Sequence, residues 1–192
     1  MTRPSPVWSA SVILSGYSGL PAIGPQELKE AFNRARSFIR MLAVISPTCP
    51  ECRAGDRAVR NVFKTKKSEK LRGFIVWIPM LPADTAAVAC AQAGSWNDKR
   101  LLLQGWDAGC AIGGMFSKTL KLTRTAWDIY LIYAPGLIWE GELPPAPSFW
   151  MHQLRPDSGA DQNRRLSLPR LQQEVNIYLT NAKRPEQRTF RR

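Results

Sequence analysis

The chain has 192 residues, room for one ordinary domain with extensions. Hydrophobic residues make up 44% and charged residues 22%, which excludes wholesale disorder, and no apolar run approaches the roughly 18 residues of a membrane-spanning helix. The formal net charge of +12 is concentrated in residues 34–72, with eleven Lys/Arg against three acids, and in 155–192, with nine against four; such charge speaks of association with anions and not of fold.

At the N-terminus, Arg3 precedes Val7 to Leu14, but Ser5, Ser9, Ser11, Ser15 and Ser18 interrupt the apolar character. A secretory signal needs a more continuous apolar stretch of about 7–15 residues, so the expected location is the cytoplasm, with export as the alternative. Pro21, Gly24 and Pro25 end this N-terminal arm, residues 1–25. Gln26 to Arg36 then reads as a helix with Leu28, Phe32 and Ala35 on one face. Ile39 to Ile45, broken only by Arg40, reads as a strand covered on both sides.

A helix is predicted from Cys49 to Lys66, with Cys52, Val59, Val62 and Phe63 on its apolar face. Arg53, Arg57, Arg60, Lys64 and Lys67 make its wet face cationic. Pro50 suits a first turn. Phe74 to Ile78 is a second apolar strand. Asp84 and Thr85 are N-caps for a helix running to Ala93, with Gly94 as its stop. A short strand over Lys99–Leu103, a helix over Gly113–Lys121 and a strand over Asp128–Tyr133 follow. Pro135-Gly136 reads as a turn into Leu137–Trp139 as a hairpin partner. Beyond Pro144, Pro145 and Pro147, the aromatic-rich segment Phe149–Leu154 is expected to dock on the core. The basic stretch 155–192 is expected to be a mobile tail with one marginal helix over Leu166–Leu179. The order of elements argues for an α/β sandwich around a mixed sheet.

Thr48-Cys49-Pro50-Glu51-Cys52 carries the chemistry. A thiol at a helix N-terminus meets unpaired backbone N–H groups and the positive end of the macrodipole, and both favour its thiolate. Cysteines at i and i+3 share one side of the first turn and can close a disulfide. Cys49, nearer the surface, is expected to attack and Cys52, facing the core, to resolve the mixed disulfide. Glu51 opposes thiolate formation, while Arg53 and Arg57 favour it. Asp107 and Asp128 are candidate proton-handling acids near the pair, or else buried caps or salt-bridge partners. His152, Trp96, Trp106, Trp127 and Trp139 are expected to pack, Cys90 to be a small core residue and Cys110 to be inert.

A Cys-x-x-Cys pair between a strand and a helix reads as a thioredoxin-like redox motif. Residues from about Gln26 to Trp139 resemble a thioredoxin fold. Trp77-Ile78-Pro79-Met80-Leu81, with Ala126-Trp127-Asp128-Ile129-Tyr130-Leu131, resembles a group of bacterial thioredoxin-like proteins. The resemblance implies a three-layer α/β sandwich over 26–154 and dithiol–disulfide exchange by Cys49 and Cys52 on a protein or peptide. It also implies electrons from an unidentified partner and no dissociable cofactor or metal. Two departures stand out. Thr48 replaces the usual tryptophan before the first cysteine, with Pro50-Glu51 between the pair. Arg124-Thr125-Ala126-Trp127-Asp128 lacks the family's proline, so substrate docking at that edge and the family's usual exclusion of metal are not carried over. Two other readings compete: a scaffold whose basic surface, the cationic face of the 49–66 helix together with the basic tail, contacts phosphates of a nucleic acid, against which no reading motif is present, and a cysteine zinc or iron–sulfur site shared between two chains, since zinc usually takes four ligands.

Overall fold

The computed structural model describes residues 19–182. The N-terminal stretch weighed as an export signal lies outside the described residues. Among the described residues no helix is long and apolar enough to cross a membrane.

Gly24 donates its backbone N–H to Glu27 Oε2, and Pro25 opens α1 (Pro25–Arg34), which buries Leu28, Ala31 and Phe32. β1 (Ile39–Ile45) is buried along its whole length. α2 (Pro50–Thr65) buries Cys52, Ala58, Val59, Val62 and Phe63. β2 (Leu71–Trp77) and α3 (Ala86–Ala93) follow, the latter capped by the Thr85 hydroxyl and stopped at Gly94 as the sequence predicts. β3 (Leu101–Trp106), α4 (Ala111–Leu120), β4 (Ile129–Tyr133), β5 (Phe149–His152) and α5 (Leu168–Asn181) complete the order, with short 3-10 turns at Pro156–Ser158 and Gln162–Arg164.

The sheet runs β3-β2-β1-β4-β5. β1, β2 and β3 are parallel, whereas β4 and β5 are antiparallel to their neighbours. Strand side chains alternate between faces, so Met41, Ala43 and Ile45 pack with α2, α3 and α5, while Leu42 and Val44 pack with α1 and α4. This is the three-layer, thioredoxin-like α/β sandwich with a mixed sheet that the sequence implied. At both edges the ladder is closed at the end where β1 runs into the cysteine pair. Ile23 N–H donates to the Trp106 carbonyl and Trp106 N–H to that of Pro21 beside β3, and Leu166 N–H donates to the His152 carbonyl beside β5.

Two expectations are corrected. The hairpin partner of β4 is Phe149–His152 and not Leu137–Trp139. Residues 137–139 instead lie over the sheet, where Trp139 fills the core against Phe32 and Phe116, and their carbonyls serve Asn33 and Arg40. Arg40 is wholly buried in β1. Its guanidinium donates to the carbonyls of Ala134 and Leu137 and lies 4.0 Å over the Phe32 ring. Desolvation lowers its pKa to about 10. The second correction concerns 155–182, which is part of the packed body and not a loose tail. Leu171 and Val175 of α5 are fully buried against the face covered by α2, and Gln172 bonds Asn61 across that contact. The sequence shows this helix as marginal because only a narrow stripe of it is apolar. Residues 183–192 lie outside the described residues.

Candidate active site

The cysteine pair sits where β1 hands over to α2. Cys49 is the N-cap of α2 in an extended conformation, and its sulfur accepts the N–H of Cys52 at 3.3 Å. Pro50 occupies the next position, where no intrahelical donor is lost. Cys52 is one turn in, with no exposed surface, and accepts the Ser46 N–H at 3.4 Å. Cys49 is 3% exposed, so it is the nearer of the two to solvent. Both cysteines are free thiols here.

The loop before the pair is held by Asp84. One carboxylate oxygen accepts from Thr48 N–H at 3.0 Å and the Thr48 hydroxyl at 2.6 Å. The other accepts from the Ser46 hydroxyl at 2.7 Å and from Met80 and Leu81 N–H at 2.8 Å each. These bonds hold the Asp84 carboxyl below its ordinary value against the burial that opposes them. Asp84 is thus no helix cap. It ties the β1–α2 loop to the loop after β2.

Beneath the pair lies Asp128, the last residue before β4. It is 2% exposed and has φ 53°, a left-handed conformation that costs most L-residues about 1–2 kcal/mol and that Asp tolerates better. Its Oδ1 accepts from the Tyr130 hydroxyl at 2.6 Å and from Gln153 Nε2 at 3.0 Å. The same Gln153 amide donates to the Glu51 carbonyl at 2.6 Å, joining the acid to the turn between the cysteines. The two sulfurs and an oxygen of Asp128 lie within 4.8 Å of one another. Of the two acids singled out from sequence, Asp128 therefore belongs to the site. Asp107 does not: its carboxylate accepts the Ile112 N–H at 2.7 Å in the first turn of α4.

The electrostatics separate the thiols. Hydrogen bonding from the Cys52 side chain pulls the Cys49 thiol below its ordinary value, against burial, and the Cys52 N–H adds to the pull. Glu51 Oε2, 3.4 Å away, pushes back. Burial drives Cys52 well above the ordinary thiol value, and the Cys49 hydrogen bond and the Asp128 charge add to it. Burial also raises Asp128, and the Tyr130 and Gln153 bonds only partly offset it. The backbone and the partner cysteine, not Arg53 or Arg57, supply the pull on Cys49.

The remaining candidates are placed as follows. Arg53, Arg57, Lys64 and Lys67 are exposed. Arg60 is not part of a free cationic stripe, since it pairs with Asp56 at 2.7 Å and lies 4.5 Å over the Trp96 ring. His152 is fully buried as a structural residue. Its Nδ1 accepts the Leu154 N–H and its Nε2 faces the Asp161 carbonyl at 2.9 Å, so the proton sits on Nε2. Cys90 is half-buried on α3 and not a core residue. Cys110 caps α4, its sulfur 3.8 Å from the Pro79 carbonyl, and neither cysteine joins the Cys49–Cys52–Asp128 group. Gln153 was not singled out from sequence; a lone glutamine after a strand carries no signal until the strand pairs.

No protein-family model and no curated protein matches the chain. Among solved structures, MTB dsbF shares a TM-score of 0.48 and 12% identity, covering 76% of this chain and 84% of that one. A secreted Mycobacterium tuberculosis disulfide oxidoreductase homologous to E. coli DsbE shares 0.43 and 12%, covering 75% and 84%. By its own strand order and by the place of its cysteines at the start of α2, this chain has a thioredoxin-like fold.

Proposed function

We propose that the protein is a thiol–disulfide oxidoreductase acting on a protein or peptide, with Cys49 as nucleophile and Cys52 as resolving thiol. The observation that carries the reading is the asymmetry of the pair. Cys49 sits at a helix N-terminus with its sulfur accepting the Cys52 N–H and its thiol held low, while Cys52 is buried behind it against a carboxyl. In the reductive direction the Cys49 thiolate attacks a substrate disulfide. One sulfur–sulfur bond forms to Cys49, the substrate bond breaks, and the departing substrate thiolate takes a proton from solvent. Cys52 then gives its proton to the Asp128 carboxylate and attacks Cys49. The Cys49–Cys52 disulfide forms, the second substrate thiolate leaves, and two electrons have passed to the substrate. A dithiol partner returns them. In the oxidative direction the same steps run backwards.

The test is the redox state of Cys49 and Cys52 across glutathione buffers in the presence of a chelator, read by alkylation and intact mass. A reversible two-thiol transition is expected. Its midpoint assigns direction, because pairs near −270 mV reduce and those near −120 mV oxidise; the low end fits the cytoplasmic location expected from sequence, the high end an exported oxidant. Cys49→Ser is expected to abolish exchange and Cys52→Ser to accumulate mixed disulfides. Unchanged turnover in Cys49→Ser would end the proposal.

A further inference from the structure

We propose that the reduced protein binds one zinc-class divalent cation per chain through Cys49 Sγ, Cys52 Sγ and Asp128. The inference shares its sulfurs with the exchange reading but does not rest on it, since it needs only the reduced thiols and the acid.

Three observations carry it. The first is proximity: two sulfurs and a carboxylate oxygen, all buried, lie within 4.8 Å of one another. Donors bound to one tetrahedral zinc stand roughly 3.3–3.8 Å apart, given bond lengths of about 2.3 Å to sulfur and 2.0–2.2 Å to oxygen. Closing the triangle therefore takes about 1 Å, within reach of small side-chain rotations. The second is the way Asp128 is held. Tyr130 and Gln153 both donate to Oδ1, and among the described residues the carboxyl's other hydrogen-bond partner is the Cys52 thiol, whose proton leaves when a metal binds. Anchoring one oxygen while the other stays available is how outer hydrogen bonds orient a ligating carboxylate. The third is that the segment entering β4, Thr125-Ala126-Trp127-Asp128, sets an acid beside the sulfurs through a left-handed residue.

Two thiolates with one carboxylate form a borderline-soft set that suits zinc and not magnesium or calcium, which take oxygen donors. Three protein ligands leave a fourth position for water or for Glu51, whose Oε2 is 3.4 Å from Cys49 Sγ. On binding, two S–metal bonds form, the two thiol protons leave to solvent, and no electrons move. The ion occupies both sulfurs, so it blocks exchange while bound, and oxidation of the pair by oxidised glutathione, whose disulfide takes the two electrons and leaves as two thiols, releases it.

The experiment is a zinc titration of the full reduced chain against a chromogenic chelator, with cobalt as a spectroscopic stand-in and native mass spectrometry for stoichiometry. One zinc per single chain is expected, with a thiolate-to-cobalt charge-transfer band and slowed alkylation of Cys49. Asp128→Ala is expected to weaken zinc by at least about tenfold, with Asp128→Asn in between and both variants checked for folding by thermal unfolding. Cys52→Ser and the pre-oxidised protein are expected not to bind. No stoichiometric zinc in the reduced protein, affinity unchanged in a folded Asp128→Ala, or one zinc shared by two chains would each overturn the proposal. The glutathione titration in chelator stands apart from all of these, so a failure here leaves the exchange reading intact, and the reverse.

Discussion

Residue by residue, the site is governed by which groups share its buried volume. Glu51 is the one carboxylate whose hydrogen bond holds Cys49 up, so Glu51→Gln is expected to move Cys49 further below the ordinary thiol range. The pH dependence of Cys49 alkylation checks this, with wild type titrating at the higher pH. Asp128 titrates in the opposite sense from a salt-bridged acid. Its folded value is raised by burial from the ordinary 3.8, so across that window the native state holds a proton that the unfolded chain has released. Stability then falls as pH rises through the window. Asp128→Asn removes that loss. Urea unfolding followed stepwise as pH rises above the ordinary carboxyl value of 3.8, in a Cys49→Ala background so that the thiol's own titration drops out, is expected to show a smaller decline for Asp128→Asn.

The same logic of shared volume operates between elements. Gly55 in α2 faces Tyr130 of β4 so closely that a Cβ would overlap the tyrosine hydroxyl and ring. Gly55→Ala is expected to displace the ring, destabilise the fold by about 1–3 kcal/mol and loosen the Asp128 bond, seen as a lower thermal midpoint together with a shifted Cys49 pH profile. Asp84 joins two loops through five hydrogen bonds. Asp84→Ala leaves buried donors unpaired, each worth about 1–3 kcal/mol, and is expected to cost at least about 2 kcal/mol in chemical unfolding. Neither contact was visible in the sequence, because both join residues distant in the chain. What was visible is local: the apolar runs of β1, β2 and β4, the caps Thr85 and Gly94, and the cysteine pair ahead of an amphipathic helix. Asp128 was legible as an acid near a strand, but its approach to the sulfurs depends on the antiparallel register of Val44 with Ile129. The hairpin was misplaced because Pro135-Gly136 is a strong turn signal, whereas the partner strand lies beyond a proline-rich excursion that no local pattern closes.

For the molecule as a whole, the docking of α5 changes how the basic surface has to be tested. Removing 155–192 takes away Leu171 and Val175, whose burial is worth about 1.5–3 kcal/mol each, against a typical total of only 5–15 kcal/mol. That deletion is expected to unfold part of the chain, so lost polyanion retention in it says little. A chain ending at Ala182 keeps α5 and sheds Lys183, Arg184, Arg188, Arg191 and Arg192. It is expected, if phosphates are contacted by the terminus, to elute from a polyanion column at lower salt. Unchanged elution would place any retention on cations other than these five.

The closed sheet edges bear on how a substrate reaches the cysteines. Outer strands invite an extended chain to pair alongside them, and many peptide-binding folds capture their ligands that way. Here the segment around Ile23 occupies that place beside Trp106, and Leu166 occupies it beside His152, both at the cysteine end. A polypeptide bearing the target disulfide therefore has no free lane at either flank there. On the proposed exchange reading, a substrate that pairs with neither flank at that end presents a protruding bend or a loose terminus and not a flat, extended run.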